Sequence, residues 1–224
     1  MKKLILAAFA LTTAASVFAQ GTVQFYQYGD GVNTTHVWGP STNSPSLHFI
    51  GSGINDSPAG TNNYASAGMA LIGASGTGGK YGAATTFAQL LFANGAGAPE
   101  ASLQPGGPTT TFRTGGTLGR MTAVSETITG LLPDSAAGTF EMVAWDNSTG
   151  LYPTWSQAAV AWRVGTIAAG MSGAFSVSSI GGTSNLPPNV LGPTFNLYFV
   201  PEPSSIALAG LGLAALVAFR RRNS

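Results

Sequence analysis

The chain has 224 residues, and charged side chains make up only 8 % of them, against about 25 % in ordinary globular proteins. It contains no Cys, which excludes a disulfide framework and a thiolate metal site. The formal net charge is +1, but residues 20–200 hold four cations (Lys80, Arg113, Arg120, Arg163) against seven carboxylates, a net charge of −3. That balance leaves no basic footprint and excludes nucleic acid as the expected partner.

The chain opens with Lys2 and Lys3, then an apolar stretch from Leu4 to Leu11, then small residues ending in Val17-Phe18-Ala19. A short positive region, an apolar region and small residues at −3 and −1 are the parts of a signal peptide. Residues 1–19 are therefore expected to form a signal helix, cut by signal peptidase between Ala19 and Gln20.

Residues 20–200 are expected to be one domain, large enough to build its own core. No sustained helical period runs through them. Short alternating or apolar runs occur instead, separated by Gly, Pro and Asn clusters. In chain order these are Thr22–Tyr28, Gly68–Gly73, Thr86–Phe92, Met121–Ile128, Thr139–Trp145, Ala158–Val164, Ala174–Ile180 and Thr194–Val200. In Thr139–Trp145, Phe140, Met142 and Ala144 alternate with Glu141, Val143 and Trp145. Alternation of this kind fits antiparallel sheets with one wet face. The expected fold is all-β, an antiparallel β-sandwich of about eight strands, immunoglobulin-like or jelly-roll in type. Two long loops are expected, over 29–66 and 93–119, with Val37-Trp38 and Leu47–Ile50 as strand candidates inside the first. Long loops on such a scaffold are functional or mobile.

Candidate chemistry in this body is sparse. Gly73–Lys80 fails as a phosphate loop, because position 74 is Ala and Lys80 is followed by Tyr81. His36 and His48 are the two histidines; without carboxylates they cannot complete a zinc site, and Asp30 and Asp56 are the nearest in sequence. No metal and no cofactor is expected. Glu126 and Glu141 fall on expected strands and could serve as a glycosidase pair only if they flanked one cleft; a solvated sheet face is the favoured reading. There is no Gly-x-Ser-x-Gly elbow. The body is expected to be non-enzymatic. Trp145, Tyr152 and Trp155 bracket the turn at 146–150 and are the candidate carbohydrate contacts, since aromatic faces stack on sugar rings.

The chain ends in Pro201-Glu202-Pro203, then 16 uncharged residues from Ser204 to Phe219, then Arg220-Arg221-Arg222. As a helix, that run would span roughly 24 Å, short for a bilayer core of about 30 Å. Ser204 and Ser205 can cap its start. The Arg triplet would stop transfer and remain on the cytoplasmic side. The expected organisation is a signal peptide at 1–19, a β-sandwich body at 20–200 and a sorting and transmembrane anchor segment at 201–224.

This ordered tail resembles the PEP-CTERM sorting signal. Proteins with that signal are bacterial, exported and processed by exosortase, a membrane-embedded cysteine transpeptidase. The resemblance implies that Pro201, Glu202 and Pro203 are recognised as a substrate, and that the following helix anchors the precursor transiently in the inner membrane before it is removed. The body would then reach the cell surface or the extracellular space, in an envelope setting rich in exopolysaccharide. Ala88-Gln89-Leu90, Glu100-Ala101-Ser102-Leu103, Thr111-Phe112-Arg113-Thr114-Gly115 and Val143-Ala144-Trp145-Asp146 also resemble the bodies of other PEP-CTERM proteins, which have no assigned activity. The expected function is that of a non-enzymatic surface or matrix protein. The alternative is a carbohydrate-binding module built on the Trp145–Trp155 region.

Cleavage after Ala19 predicts that N-terminal sequencing of the exported protein reads from Gln20. Recovery of exported protein with Met1 intact would contradict it.

Overall fold

The computed structural model describes residues 20–28 and 33–201. The expected signal helix at 1–19 lies outside the described residues, and so does the expected membrane helix after Pro203. Among the described residues, no helix is long and apolar enough to cross a membrane.

The longest pairing joins β3 (Thr86–Asn94) to β6 (Ala137–Asp146), antiparallel and in unbroken register from Thr86 opposite Asp146 to Asn94 opposite Gly138. Successive side chains on a strand alternate between faces. Ala88, Leu90 and Phe92 therefore share one face with Phe140, Met142 and Ala144, and all six belong to one buried cluster. Leu91, Val143 and Trp145 point the other way, into a second cluster. The sheet is completed by β4 (Gln104–Thr111) on the outer side of β3, and by β7 (Ala169–Met171) and β8 (Phe175–Ser178), which share the far edge of β6.

A second sheet lies over the first cluster. It has the order β5 (Val124–Ile128), β1 (Gly21–Phe25), β9 (Asn189–Val190), with β1 antiparallel to β5 and parallel to β9. Val23, Phe25, Ile128 and Val190 bring its inner face into the core beneath β3 and β6. A short parallel pair, β2 (Val37–Trp38) with β10 (Phe195–Asn196), adds Val37 and Phe195 to the same core.

The all-β expectation holds, with one helix as the exception. Ala158–Val164, expected as a strand, lies largely within helix α1 (Trp155–Arg163). The cause is local. Thr154 and Gln157 close the helix start, the Gln157 side-chain oxygen accepting from the Thr154 amide at 3.3 Å and from its hydroxyl at 2.9 Å. Trp155, Ala158, Ala159 and Trp162 then fall at the i, i+3, i+4, i+7 spacing of one helical face, and all four are buried. This face covers the outer side of the main sheet, so the wet face expected from the alternation is dry.

The loop expected over 93–119 contains β4. Its Pro105 and Pro108 read as breakers, but β4 is an edge strand, where Pro is tolerated. The register with β3 slips between Ala88 and Leu90. Gly107 absorbs the slip at φ +68°, as the left-handed residue of a bulge, and the Gln89 side-chain amide donates to the Gly107 carbonyl at 3.0 Å. Gly68–Gly73 forms no strand, and its backbone pairs with β2 through an isolated Trp38–Leu71 bridge. The described part of the 29–66 loop has its own small core, in which Trp38 stacks on Tyr64 at 5.4 Å beside Met69.

Leu90 is 0 % exposed at the centre of the β3–β6 pair. Leu90→Ala is expected to destabilise the protein by about 2–5 kcal/mol through lost burial and the cavity left behind. Leu132→Ala, at a 56 % exposed position, should change stability by less than about 0.5 kcal/mol. Urea unfolding midpoints of the two variants make the comparison.

Candidate functional site

The outer side of the main sheet carries an open groove of about 460 Å³ between β6, α1 and the turn at Glu100–Ser102. The β3–β6 register builds its floor. Glu141 stands opposite Leu91, on the same face as Val143 and Trp145. Because Phe140 and Met142 occupy the inner core, residue 141 has to face α1. Trp155, Ala159 and Trp162 form the helical wall, with Arg163 at the rim and Glu100 across the opening.

Glu141 is 0 % exposed, and neither carboxylate oxygen has a hydrogen-bond partner. Its pKa is pushed up to about 7, first by burial and then by the nearby Glu100 charge; the backbone amide of Gly173 opposes this in part without reaching good hydrogen-bond geometry. Near neutral pH this carboxyl can therefore either donate or accept a hydrogen bond. Glu100 itself is exposed on its turn.

The aromatic wall is continuous. Trp145 lies 5.8 Å from Trp155, Trp155 lies 5.9 Å from Trp162, and Trp162 lies 5.1 Å from Tyr198. Both indole donors that anchor this row reach backbone: Trp145 Nε1 donates to the Tyr152 carbonyl at 2.7 Å, and Trp162 Nε1 to that of Tyr198 at 2.9 Å.

Trp145, Tyr152 and Trp155, the candidate carbohydrate contacts, do not share one exposed face. Trp145 is 0 % exposed and serves as core. Tyr152 is half-buried beside it, and of the three only Trp155 lines the groove. Trp162, Glu100 and Arg163 complete the site. The helical spacing from Trp155 to Trp162 could have indicated that partnership; the approach of Glu100 depends on tertiary packing.

Glu126 and Glu141 do not face one another. Glu126 pairs with Val23 and points into the inner core beside Ile128. It is 2 % exposed with both oxygens unpartnered, and burial pushes its pKa up to about 8. Its carboxylate lies directly against Gly107, where a Cβ would overlap it. His36 is held by Asp56. Its Nδ1 lies 2.6 Å from Asp56 Oδ1, and Thr194 donates its hydroxyl to Asp56 Oδ2 at 2.6 Å. His48 stacks against Tyr198 at 4.7 Å. Among the described residues, no group of three or more His, Asp or Glu side chains is placed to hold a metal ion.

Of the expected processing residues, Gln20 immediately precedes β1 and Pro201 is exposed at the end of the body. Ala19, Glu202, Pro203, Arg220, Arg221 and Arg222 lie outside the described residues. The body is anchored up to this exit: the Phe199 amide donates to the Pro45 carbonyl at 2.9 Å, and Val200 packs against the cluster around α1.

These features describe an essentially all-β body ending directly in a terminal signal. The family model described as the PEP-CTERM protein-sorting motif matches residues 199–222. The chain thus carries the sorting signal of an exosortase substrate, overlapping the last packed residues of the body. No curated protein and no solved structure matches the chain.

The two buried carboxyls fix a pH dependence. Both have folded pKa values above the usual 4.5, so the unfolded chain releases these protons first. Below about pH 4.5 neither carries a penalty; stability falls as pH rises from there to about 8. Glu126, with the larger shift, should account for more of the loss than Glu141. Unfolding midpoints measured from pH 5 to 8 should show this decline, and Glu126→Gln should flatten much of it. A wild-type profile that is level over that range would contradict the assignment.

Proposed function

We propose that the chain is an exported, non-enzymatic surface or matrix protein of a bacterial envelope. Signal peptidase releases it at Gln20, its C-terminal helix holds it transiently in the inner membrane, and exosortase removes that helix and passes the body to the cell surface or extracellular space. The observation that carries this reading is the PEP-CTERM motif at residues 199–222, placed at the exposed exit of the body. The body itself is read as a self-supporting β-sandwich. Two facing sheets around Val23, Leu90 and Phe140 support that reading.

Carbohydrate binding is the second reading, with exopolysaccharide as the partner class. It is favoured by the groove between α1 and β6, where Trp155 and Trp162 stand beside Glu100, Glu141 and Arg163. Apolar walls with a few convergent polar groups are the common composition of small-molecule sites. The binding surface so proposed differs from one centred on Trp145, whose ring is enclosed.

Replacing Pro201, Glu202 and Pro203 together by Ala is expected to leave uncut precursor in the membrane fraction. Mass spectrometry of the cellular and released protein checks this. Normal removal of the C-terminal segment in the variant would refute exosortase recognition at these residues.

A further inference from the structure

Glu141 is the most unusual group in the groove. A buried carboxylate without a partner is costly, and both of its oxygens are unpartnered at 0 % exposure. Its oxygens are covered, yet the residue is among those that line the groove. The second carboxylate, Glu100, lines the same groove. Two acids lining one groove without an ion-paired counter-charge form an arrangement that a cation relieves. Arg163 lines the same groove but forms no ion pair with either acid: among the described residues the sole ion pair is His36 with Asp56. The groove therefore keeps an unmet demand for positive charge on its floor and a free set of guanidinium donors at its rim.

The remaining walls narrow the choice of cation. Leu91 and Met171 are apolar, and Trp155 and Trp162 are tilted aromatic rings. A bare metal ion would find two carboxylates and no further side-chain oxygen or imidazole among the lining residues, a poor match to the six to eight oxygens Ca²⁺ takes. An ammonium group suits the acids by charge-assisted hydrogen bonds and the indoles by cation–π attraction. A ring with apolar faces suits the walls, and ring hydroxyl oxygens can accept from Arg163. The groove, at about 460 Å³, is within the usual 300–1,000 Å³ range of small-molecule sites.

We propose that the groove between α1 and β6 binds an amino sugar with a free amine, its ammonium held between Glu141 and Glu100 and its ring lying against Trp155 and Trp162. This rests on the carbohydrate-binding reading and specifies its ligand class.

The test uses the full chain purified in detergent, with tryptophan fluorescence as the readout because Trp155 and Trp162 line the groove. Glucosamine, N-acetylglucosamine, glucose and Nα-acetyl-lysine amide are titrated at pH 7. Glucosamine should give a saturable change, at least tenfold tighter than N-acetylglucosamine or glucose, and tighter than the lysine amide. Glu141→Gln, which keeps the side-chain shape, and Glu100→Gln, at an exposed turn position, should each weaken glucosamine about tenfold. Circular dichroism reports whether each variant is folded. If Glu141→Gln unfolds, the Glu100→Gln titration decides alone. Equal binding of glucose and glucosamine, unmoved by either variant, would overturn the amine assignment while keeping a sugar site. Tighter binding of the lysine amide would overturn the sugar assignment and keep the acidic pair as the amine-holding element. No response to any sugar would overturn both the inference and the carbohydrate reading beneath it.

Discussion

The β3–β6 pairing is the constraint on which the rest of the body depends. Its register runs unbroken through both strands, and each face of the pair carries a buried cluster. A slip of β6 by one residue would turn all its side chains to the opposite face, sending Glu141 into the inner core and Phe140 and Met142 beneath the helix. Burial of Leu90, Phe140 and Met142 at essentially zero exposure therefore fixes the register. The same register leaves Glu141 no position other than the floor beneath α1. The groove's acidic group is thus a consequence of core packing on the opposite face of the sheet.

Glu126 and Glu141 illustrate two ways of burying an acid. Both lack partners, and both are shifted upward mainly by desolvation. Glu126 sits under Gly107 of the edge strand, its carboxylate filling the space that a side chain at 107 would take. It is enclosed, and its protonated form is the one suited to that site. Glu141 borders an opening and feels a second acid. A carboxyl in the first position can affect stability alone, whereas one in the second can also meet a ligand. Equal burial thus conceals a difference in access, and access separates a structural acid from a candidate binding group.

The alternation in Thr86–Phe92 and Thr139–Trp145 was enough to assign the two central strands and divide their residues between faces. It could not say that both faces would be covered, because Val143 and Trp145 read equally well as isolated outward apolar residues. The cover comes from α1, where Ala158–Val164 taken alone mimics a short apolar strand. Starting the window at Thr154 exposes the Thr-x-x-Gln start and the 3.6-residue spacing of Trp155, Ala158, Ala159 and Trp162. β4 was hidden for another reason: Gln104-Pro105-Gly106-Gly107-Pro108 is turn chemistry in every local respect, and its strand geometry is imposed by β3. Glu141 was visible as a strand carboxylate, but its placement beside Glu100 was not. That depends on where the chain between β3 and β4 folds back, which no local pattern records.

The ends of the body carry a final constraint. Gly21 begins β1 one residue after the expected cut at Ala19–Gln20, and its amide donates to the Leu131 carbonyl at 2.7 Å. At the other end, Tyr198 exchanges backbone hydrogen bonds with Ala169, and Phe199 is held by Pro45 immediately before Pro201. Neither end has a flexible spacer between the packed body and the proposed processing site. A peptidase that needs extended backbone at Ala19 would compete with the β1–β5 pairing, which favours cleavage before that sheet closes. At the C-terminus the order differs, because Pro201 already lies outside the last packed residues and is exposed. The folded body can thus present the start of the sorting signal while Val200 remains packed near α1, so that removal of the tail need not disturb the groove.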